Sequence, residues 1–224
     1  MDSEIAQVTE NLVEYGIAIG EAFKDAVSCV LGQGVDGARH AQVEAIRLVS
    51  GERTVFAQCL DLLGRGNLSG DQIRRLGETQ RIATAYHFIA DHVRQLAALS
   101  ITIATLPSFN LWRESTPSAQ FLVALVRQTF VGMRGSYIVA STRDPARASM
   151  LLTEVSGIQR NFGGLEYYIK EAIGTSTDAL GFQYVLLIGT HMRDMGSQIS
   201  AICRIALNAP GSGGLTQPPS GPVS

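Results

Sequence analysis

A short motif occurs twice in this chain at a spacing close to half its length. Asp36-Gly37-Ala38-Arg39 and Asp144-Pro145-Ala146-Arg147 lie 108 residues apart in a polypeptide of 224 residues. At the same offset apolar residues fall on apolar residues; the pairs are Ile17 with Leu125, Phe23 with Val131, and Val30 with Ile138. Because self-similarity at a fixed period is the signature of a repeat architecture, the sequence predicts two similar units in tandem.

The spacing of apolar residues predicts three helices in the first half. The first carries them at steps of three and four, the pattern of a helix that faces a bundle core; they are Ile5, Val8, Leu12, Tyr15, Ile19, Ala22, Ala26 and Val30. A second helix is predicted from Asp36, as its N-cap, to about Leu63, and a third begins at Ser69 or Asp71. The third has a seam formed by Ile82, Tyr86, Ile89, Val93 and Leu96.

The second half repeats this plan. Helices are predicted from about Pro117 to Ser141, from Asp144 to about Ile173, and from about Thr177 to Asn208. The last of these carries the seam Ile188, Met192, Met195, Ile199, Ile202 and Ala206. Strand signals are scarce, since no Asn-Gly or Asp-Gly turn separates alternating apolar runs. We therefore expect an all-α fold made of two tandem three-helix bundles.

Composition shifts indicate where these bundles begin and end. Residues 1–107 are expected to form the first bundle and residues 117–208 the second, joined by a linker at 108–116. Residues 209–224 are rich in Gly, Ser and Pro and bury too little apolar surface to order themselves, so a disordered tail is predicted there.

Charge and cysteine content exclude several classes of protein. The formal net charge is −2, and the 18 basic residues form no run of Lys and Arg, so nucleic-acid binding is disfavoured. The three cysteines lie far apart in apolar surroundings, which favours buried thiols in a reducing compartment. The acidic N-terminus does not resemble a signal peptide, and the uncharged segment Gln95–Trp112 contains Pro107 and several polar residues. We expect a cytoplasmic protein.

Motifs of catalysis are absent from the sequence. It contains no Gly-rich phosphate loop, no His-Glu-x-x-His, no Gly-x-Ser-x-Gly and no Cys-x-x-Cys. The inward Glu-x-x-His pairs of carboxylate-bridged di-iron bundles are also missing. A protein without enzymatic activity is therefore expected.

Two groups of polar residues are candidate binding sites. His87 and Asp91 lie four residues apart on one helix face, so an imidazole and a carboxylate could bind one transition-metal ion, zinc or iron; the alternative is a solvated His–Asp pair. Arg193, Ser197 and Arg204 lie on the face of the last helix opposite its apolar seam. They are candidates for contact with an anion or with an acidic patch of a partner, against the alternative of solvated arginines.

The tandem repeats, the acidic start of each second helix and the third-helix pattern together resemble the PhoU family of phosphate-signalling proteins, from about Leu12 to Leu207. In that family the third helix reads Glu-Arg-Ile-Gly-Asp and, with a motif on the second helix, binds iron or zinc clusters. The corresponding segments here are His87-Phe88-Ile89-Ala90-Asp91 and Arg193-Asp194-Met195-Gly196-Ser197. The second-helix motifs fall near Ala45 and Val49, and near Val155 and Gln159. The resemblance thus implies metal sites that are mostly lost, with no metal in the second repeat.

The resemblance also implies a function and partners. It implies a non-enzymatic regulator or adaptor of phosphate uptake or phosphate-responsive signalling that docks on a phosphate transporter component or a sensor kinase. Association with a membrane would then occur only through those partners. Small residues along the seams are compatible with a homodimer.

Two other functions stay open at this stage. One is a metal-binding helical bundle that uses His87 and Asp91; His92 lies about 100° around the helix from Asp91 and is not expected to join the same ion. The other is a structural helical module that self-associates through Phe109, Leu111 and Trp112. For Trp112 the alternative interpretation is a wedge that packs the two bundles together.

Overall fold

A computed structural model describes residues 1–28, 30–32, 34–106, 117–175 and 178–208. The described residues form seven helices: α1 (Asp2–Ser28), α2 (Asp36–Leu48), α3 (Gly51–Gly64), α4 (Gly70–Ala104), α5 (Pro117–Thr142), α6 (Pro145–Thr175) and α7 (Ala179–Leu207). This confirms the all-α fold. Cys29, the expected linker with Phe109, Leu111 and Trp112, and the expected tail lie outside the described residues.

The single second helix predicted from Asp36 to Leu63 is wrong in one respect, because it is divided into α2 and α3. The break falls at Val49 and Ser50, where the Ser50 hydroxyl donates a 2.6 Å hydrogen bond to the carbonyl oxygen of Arg47. A Cβ at Gly51 would lie 2.5 Å from the Tyr15 ring, so the chain approaches α1 closely at this point. Adjacent Ser and Gly residues are a common cause of helix kinks.

Helix caps explain two of the helix starts. Ser69 caps α4 in a capping box, in which its hydroxyl accepts from the Gln72 amide and the Gln72 side chain accepts from the Ser69 amide. At α6, the carboxylate of Asp144 accepts a 2.9 Å hydrogen bond from the Ala146 amide. At α2 the structure differs from the prediction, since Asp36 is the first helical residue and Val35 occupies the N-cap without a side-chain cap.

One hydrophobic core runs through both halves of the chain. In the first half α1 packs against α4, and across the repeats α1 packs against α5 while α4 packs against α7. Helices α2 and α3 lie outside α1 and α4, and α6 lies outside α5 and α7. All seam residues predicted on α1, α4 and α7 are buried. The two repeats therefore share their cores across a contact made by four long helices.

Burial shows that the 108-residue register of the repeat is wrong. At that offset exposed Ile17 pairs with buried Leu125, and buried Phe23 pairs with exposed Val131. An offset of 110 aligns buried residues instead; those of the second helices are Ala38, Ala41 and Ala45 against Ala148, Leu151 and Val155. In the third helices the offset is 106, which places Tyr86 on Met192. A shift of two residues turns a helix by about 200°, so it exchanges core positions for surface positions.

Gly16 on α1 allows close packing of a fully buried aromatic side chain in this shared core. Tyr86 of α4 is fully buried, and a Cβ at Gly16 would lie 2.7 Å from its Cζ atom. The Tyr86 hydroxyl lies 3.2 Å from the hydroxyl of Ser136 on α5, which forms a hydrogen bond across the repeats. Because the ring is enclosed and its hydroxyl is engaged, it has little room to move away from an added methyl group.

We predict that Gly16→Ala lowers the free energy of unfolding by about 1–3 kcal/mol through overpacking against Tyr86. Gly77→Ala on α4 is the matched control, because a Cβ there meets no atom within 4 Å and alanine favours the helix by up to about 1 kcal/mol. Urea denaturation of both variants measures the two effects. Equal stability of the two variants would contradict the close packing of Gly16 on Tyr86.

Candidate functional site

His87 is held by the break between α2 and α3. Its Nδ1 atom lies 3.1 Å from the carbonyl oxygen of Val49 and 3.3 Å from Oε2 of Glu52. That carbonyl lies in the break, where the Arg53 amide donates its hydrogen bond to the carbonyl oxygen of Ser50 and not to that of Val49. Thr84 donates a 2.7 Å hydrogen bond to the other carboxylate oxygen of Glu52. His87 is thus half-buried in a polar contact between α4 and α3.

Asp91 has partners of its own on α4. Arg94 donates to its carboxylate at 2.8 Å, and Gln95 donates to it at the same distance. Partial burial acts to raise the pKa of Asp91, but these hydrogen bonds outweigh burial and the pKa is lowered. The structure therefore directs His87 toward α3 and Asp91 toward the next turn of α4. Within the described residues no group of three or more His, Cys, Asp and Glu side chains is arranged to hold a metal ion.

Arg193 and Ser197 are engaged within α7 and with α6. The guanidinium of Arg193 donates from Nε to Asp194 at 2.9 Å and lies 4.8 Å above the ring centroid of Phe162. The Ser197 hydroxyl donates to the carbonyl oxygen of Arg193. Arg204 is exposed in the last turn of α7, almost three turns further along. Arg193 therefore already has a carboxylate partner, and the structure leaves Arg204 at a separate place on the surface.

The structure brings together two histidines that sequence analysis did not connect. His92 on α4 and His191 on α7 face each other across the contact between the repeats, with Nδ1 atoms 3.1 Å apart and ring centroids 5.3 Å apart. Burial lowers the pKa of both side chains, and His92 lowers that of His191 further. The nearby carboxylates of Asp91 and Asp194 act in the opposite direction. At neutral pH the pair is uncharged and shares one hydrogen bond.

The second-helix positions that the resemblance aligns with metal ligands are mostly part of the core or its edge here. Ala45 and Val155 are buried, and Val49 is partly buried against the core. Gln159 is exposed and neutral. These side chains offer no carboxylate to a metal cluster, as the sequence already shows.

The two described cysteines are buried. Burial raises the pKa of Cys59 and of Cys203 to about 11, so both are protonated thiols at neutral pH. Because the thiolate is the nucleophilic form, neither is an activated nucleophile. Among the described helices, none combines the length and apolarity needed to cross a bilayer.

Comparison with known proteins identifies the fold. The chain is similar to the crystal structure of PhoU from Pseudomonas aeruginosa, with a TM-score of 0.84 and 13% sequence identity over 92% of this chain and 96% of that one. It is also similar to the phosphate transport system regulatory protein PhoU from Streptococcus pneumoniae, with a TM-score of 0.80 and 12% identity over 92% of this chain and 94% of that one. No family model and no curated protein sequence matches. The chain therefore has the PhoU fold, as its sequence predicted.

We predict that the His92–His191 pair makes the protein less stable in mild acid. An unperturbed histidine has a pKa of about 6.5, and burial lowers the pKa of both side chains in the folded state. The unfolded chain then binds more protons near that pH, so the free energy of unfolding falls as the pH drops from about 7.5 to 5. The double variant His92→Gln/His191→Gln should lose less stability over this range in denaturant titrations.

His40→Gln serves as a control for that experiment, because His40 is exposed and lies away from the pair, against Asp25 on α1. In the same denaturant titrations, the His40→Gln variant should lose more of its free energy of unfolding between about pH 7.5 and about pH 5 than the double variant does. If the double variant and the wild type lose equal stability, the pair is not the source of the acid sensitivity.

Proposed function

We propose that this chain is a non-enzymatic regulator of phosphate uptake or phosphate-responsive signalling that acts by docking on other proteins. The observation that carries the proposal is the likeness in fold along nearly the whole length of two PhoU proteins, one of them named as a regulatory protein of a phosphate transport system. The likeness includes both repeats. A regulator that uses the whole two-repeat surface would need that complete arrangement.

The chemistry of the described side chains supports docking over catalysis. Cys59 and Cys203 are buried thiols, and His87 is occupied by Val49 and Glu52. The partner in this proposal is a phosphate transporter component or a sensor kinase. Either would bring the protein to a membrane through a protein contact.

Helix α2 offers a surface suited to such a contact. Val43 and Ile46 lie one turn apart and are 54% and 63% exposed. They form an apolar patch on an outer helix, next to the charged residues Glu44 and Arg47. Apolar side chains surrounded by polar ones are typical of the centre and rim of a protein interface.

The proposal predicts a phosphate phenotype for loss of the protein. Deleting its gene in the native host, grown in ample phosphate, should alter phosphate uptake or the output of a phosphate-starvation reporter. Wild type should restore both readings. His87→Ala/Asp91→Ala should restore them as well, because docking does not require a metal at these residues.

The outcomes of this experiment separate the possible functions. Rescue by the wild type alone would favour a metal-dependent protein that uses His87 and Asp91. If neither uptake nor reporter output changes on deletion, the chain has the PhoU fold without the phosphate-related role, and the proposal is wrong.

A second prediction concerns the α2 patch. Val43→Glu/Ile46→Glu places two charges at the exposed patch and should abolish rescue of the deletion while circular dichroism and thermal stability remain close to wild type. Leu187→Glu is the matched control, since it replaces an apolar residue of α7 that is 46% exposed. Full rescue by the α2 variant would exclude this surface as the docking site.

A further inference from the structure

A polar cavity lies where the second repeat meets the first. Its volume is about 630 Å³, within the range of small-molecule sites. Its walls come from the beginning of α1, the beginning of α4 and the turn between α5 and α6. Three arginines line it, Arg74, Arg75 and Arg143, together with Asp2, Glu10 and Glu78. The cavity therefore contains an equal number of cations and carboxylates, and the way in which they pair determines what it can bind.

Arg74 and Glu78 neutralise each other. Nη1 of Arg74 donates to Glu78 at 2.8 Å, and its Nη2 donates to Asp71 at 3.1 Å. Glu78 is only 8% exposed, whereas the Arg74 side chain remains about 30% exposed. Arg74 thus has two carboxylate partners and is not available to a ligand.

Arg143 lacks a carboxylate partner. Its Nη2 donates to the Thr79 hydroxyl at 3.1 Å, whereas its Nη1 is enclosed and has no hydrogen-bond partner. Burial lowers the pKa of Arg143; the Glu78 carboxylate acts in the opposite direction, and Arg75 lowers the pKa further through like-charge repulsion. Within the described part of the chain, the guanidinium of Arg75 forms no ion pair or hydrogen bond of its own. Arg143 and Arg75 therefore line the cavity without an ion pair of their own, and one nitrogen of Arg143 is left without a hydrogen-bond partner.

The backbone at Arg143 is also unusual. Its φ is 52°, in the left-handed region, and its amide bonds to the Val139 carbonyl oxygen at 2.9 Å, which closes the end of α5. Glycine is the usual residue in this conformation. In the corresponding turn of the first repeat, between α1 and α2, the described residues with positive φ are Gly32 and Gly34. The second repeat thus keeps an arginine at a position where glycine would fit the backbone better, and strain of this kind is concentrated at functional sites.

We propose that this cavity binds a small ligand through an oxyanion group, a phosphate or a carboxylate, held between Arg143 and Arg75. The enclosed Nη1 of Arg143 gains its missing partner when the guanidinium turns toward the cavity. Arginine suits this role because its planar fork matches the geometry of an oxyanion. The proposal goes beyond the regulatory function and does not depend on it, because binding is measured on the purified chain.

The opposite wall narrows the class of ligand. Asp2 and Glu10 on α1 face the same cavity, and Asp2 accepts a 2.9 Å hydrogen bond from Gln72. These carboxylates repel a ligand that is anionic throughout and favour one whose remaining part is neutral or cationic. The ligand is therefore expected to carry one anionic head and a short tail that is not anionic.

The test is isothermal titration calorimetry on the full chain at constant ionic strength. Inorganic phosphate and acetate separate the two kinds of oxyanion, and phosphoethanolamine adds a cationic tail to a phosphate head. At least one of the three should bind the wild type with 1:1 stoichiometry. Arg143→Gly should weaken that binding by about tenfold or more, because a charge-assisted hydrogen bond is lost.

Matched variants keep the result interpretable. Glycine adopts the left-handed conformation without strain, so Arg143→Gly should remain folded, which circular dichroism and thermal denaturation check. Arg75→Met, at an exposed residue, is a second variant expected to weaken binding. Arg204→Met is the control, since Arg204 belongs to the other candidate anion site, and should bind as the wild type does. Absence of binding by all three probes, unchanged binding by Arg143→Gly, or a loss in Arg204→Met would each overturn the proposal.

Discussion

The packing of α1 and α4 on α5 and α7 is the contact on which the rest of the structure depends. A three-helix unit of about a hundred residues buries a modest share of its surface, and fusing two such units into one core increases that share. At the centre of the contact Tyr86 is fully buried, and its hydroxyl lies 3.2 Å from that of Ser136 in the other repeat. A buried hydroxyl pair of this kind specifies which faces meet, since a shifted packing would leave the Tyr86 hydroxyl without this partner, whereas Ser136 keeps its hydrogen bond to the Met133 carbonyl oxygen.

Periodicity predicted the parts of the fold that depend on one helix at a time. The seams of α1, α4 and α7 are buried as expected, because a long apolar stripe on a helix is stable only when it packs against a hydrophobic core. The break at Val49 and Ser50 was not predicted, because Ser-Gly pairs kink some helices and not others, and the close approach of Gly51 to Tyr15 is visible only in the structure. The 108-residue register failed because the two copies of the motif present different faces of their helices: Ala38 is buried, whereas Ala146, which the motif aligns with it, is exposed and buried Ala148 takes its place.

The candidate sites were less predictable, because they depend on contacts between helices. Spacing placed His87 and Asp91 on one face of α4, but the bend before α3 supplies His87 with Val49 and Glu52 as partners. The pairing of His92 with His191 required knowing that α4 and α7 face each other. Once the repeat is recognised, the third helices of the two repeats can be placed next to each other. A helical wheel, however, gives only the direction of a side chain. It does not give the partner on the facing helix.

Two unusual polar contacts lie between the repeats. His92 and His191 come from different repeats, and Arg143 of the second repeat reaches Thr79 of the first. Ala45 and Val155 are buried and offer no carboxylate to a metal. A ligand or a proton bound between the repeats acts on the contact that joins them, whereas a metal on an outer face acts on one bundle alone. If the two repeats have more than one relative arrangement, such a ligand shifts their populations by the difference in its affinity for each arrangement. A ligand in the cavity that we propose would therefore act on the contact that joins the two repeats.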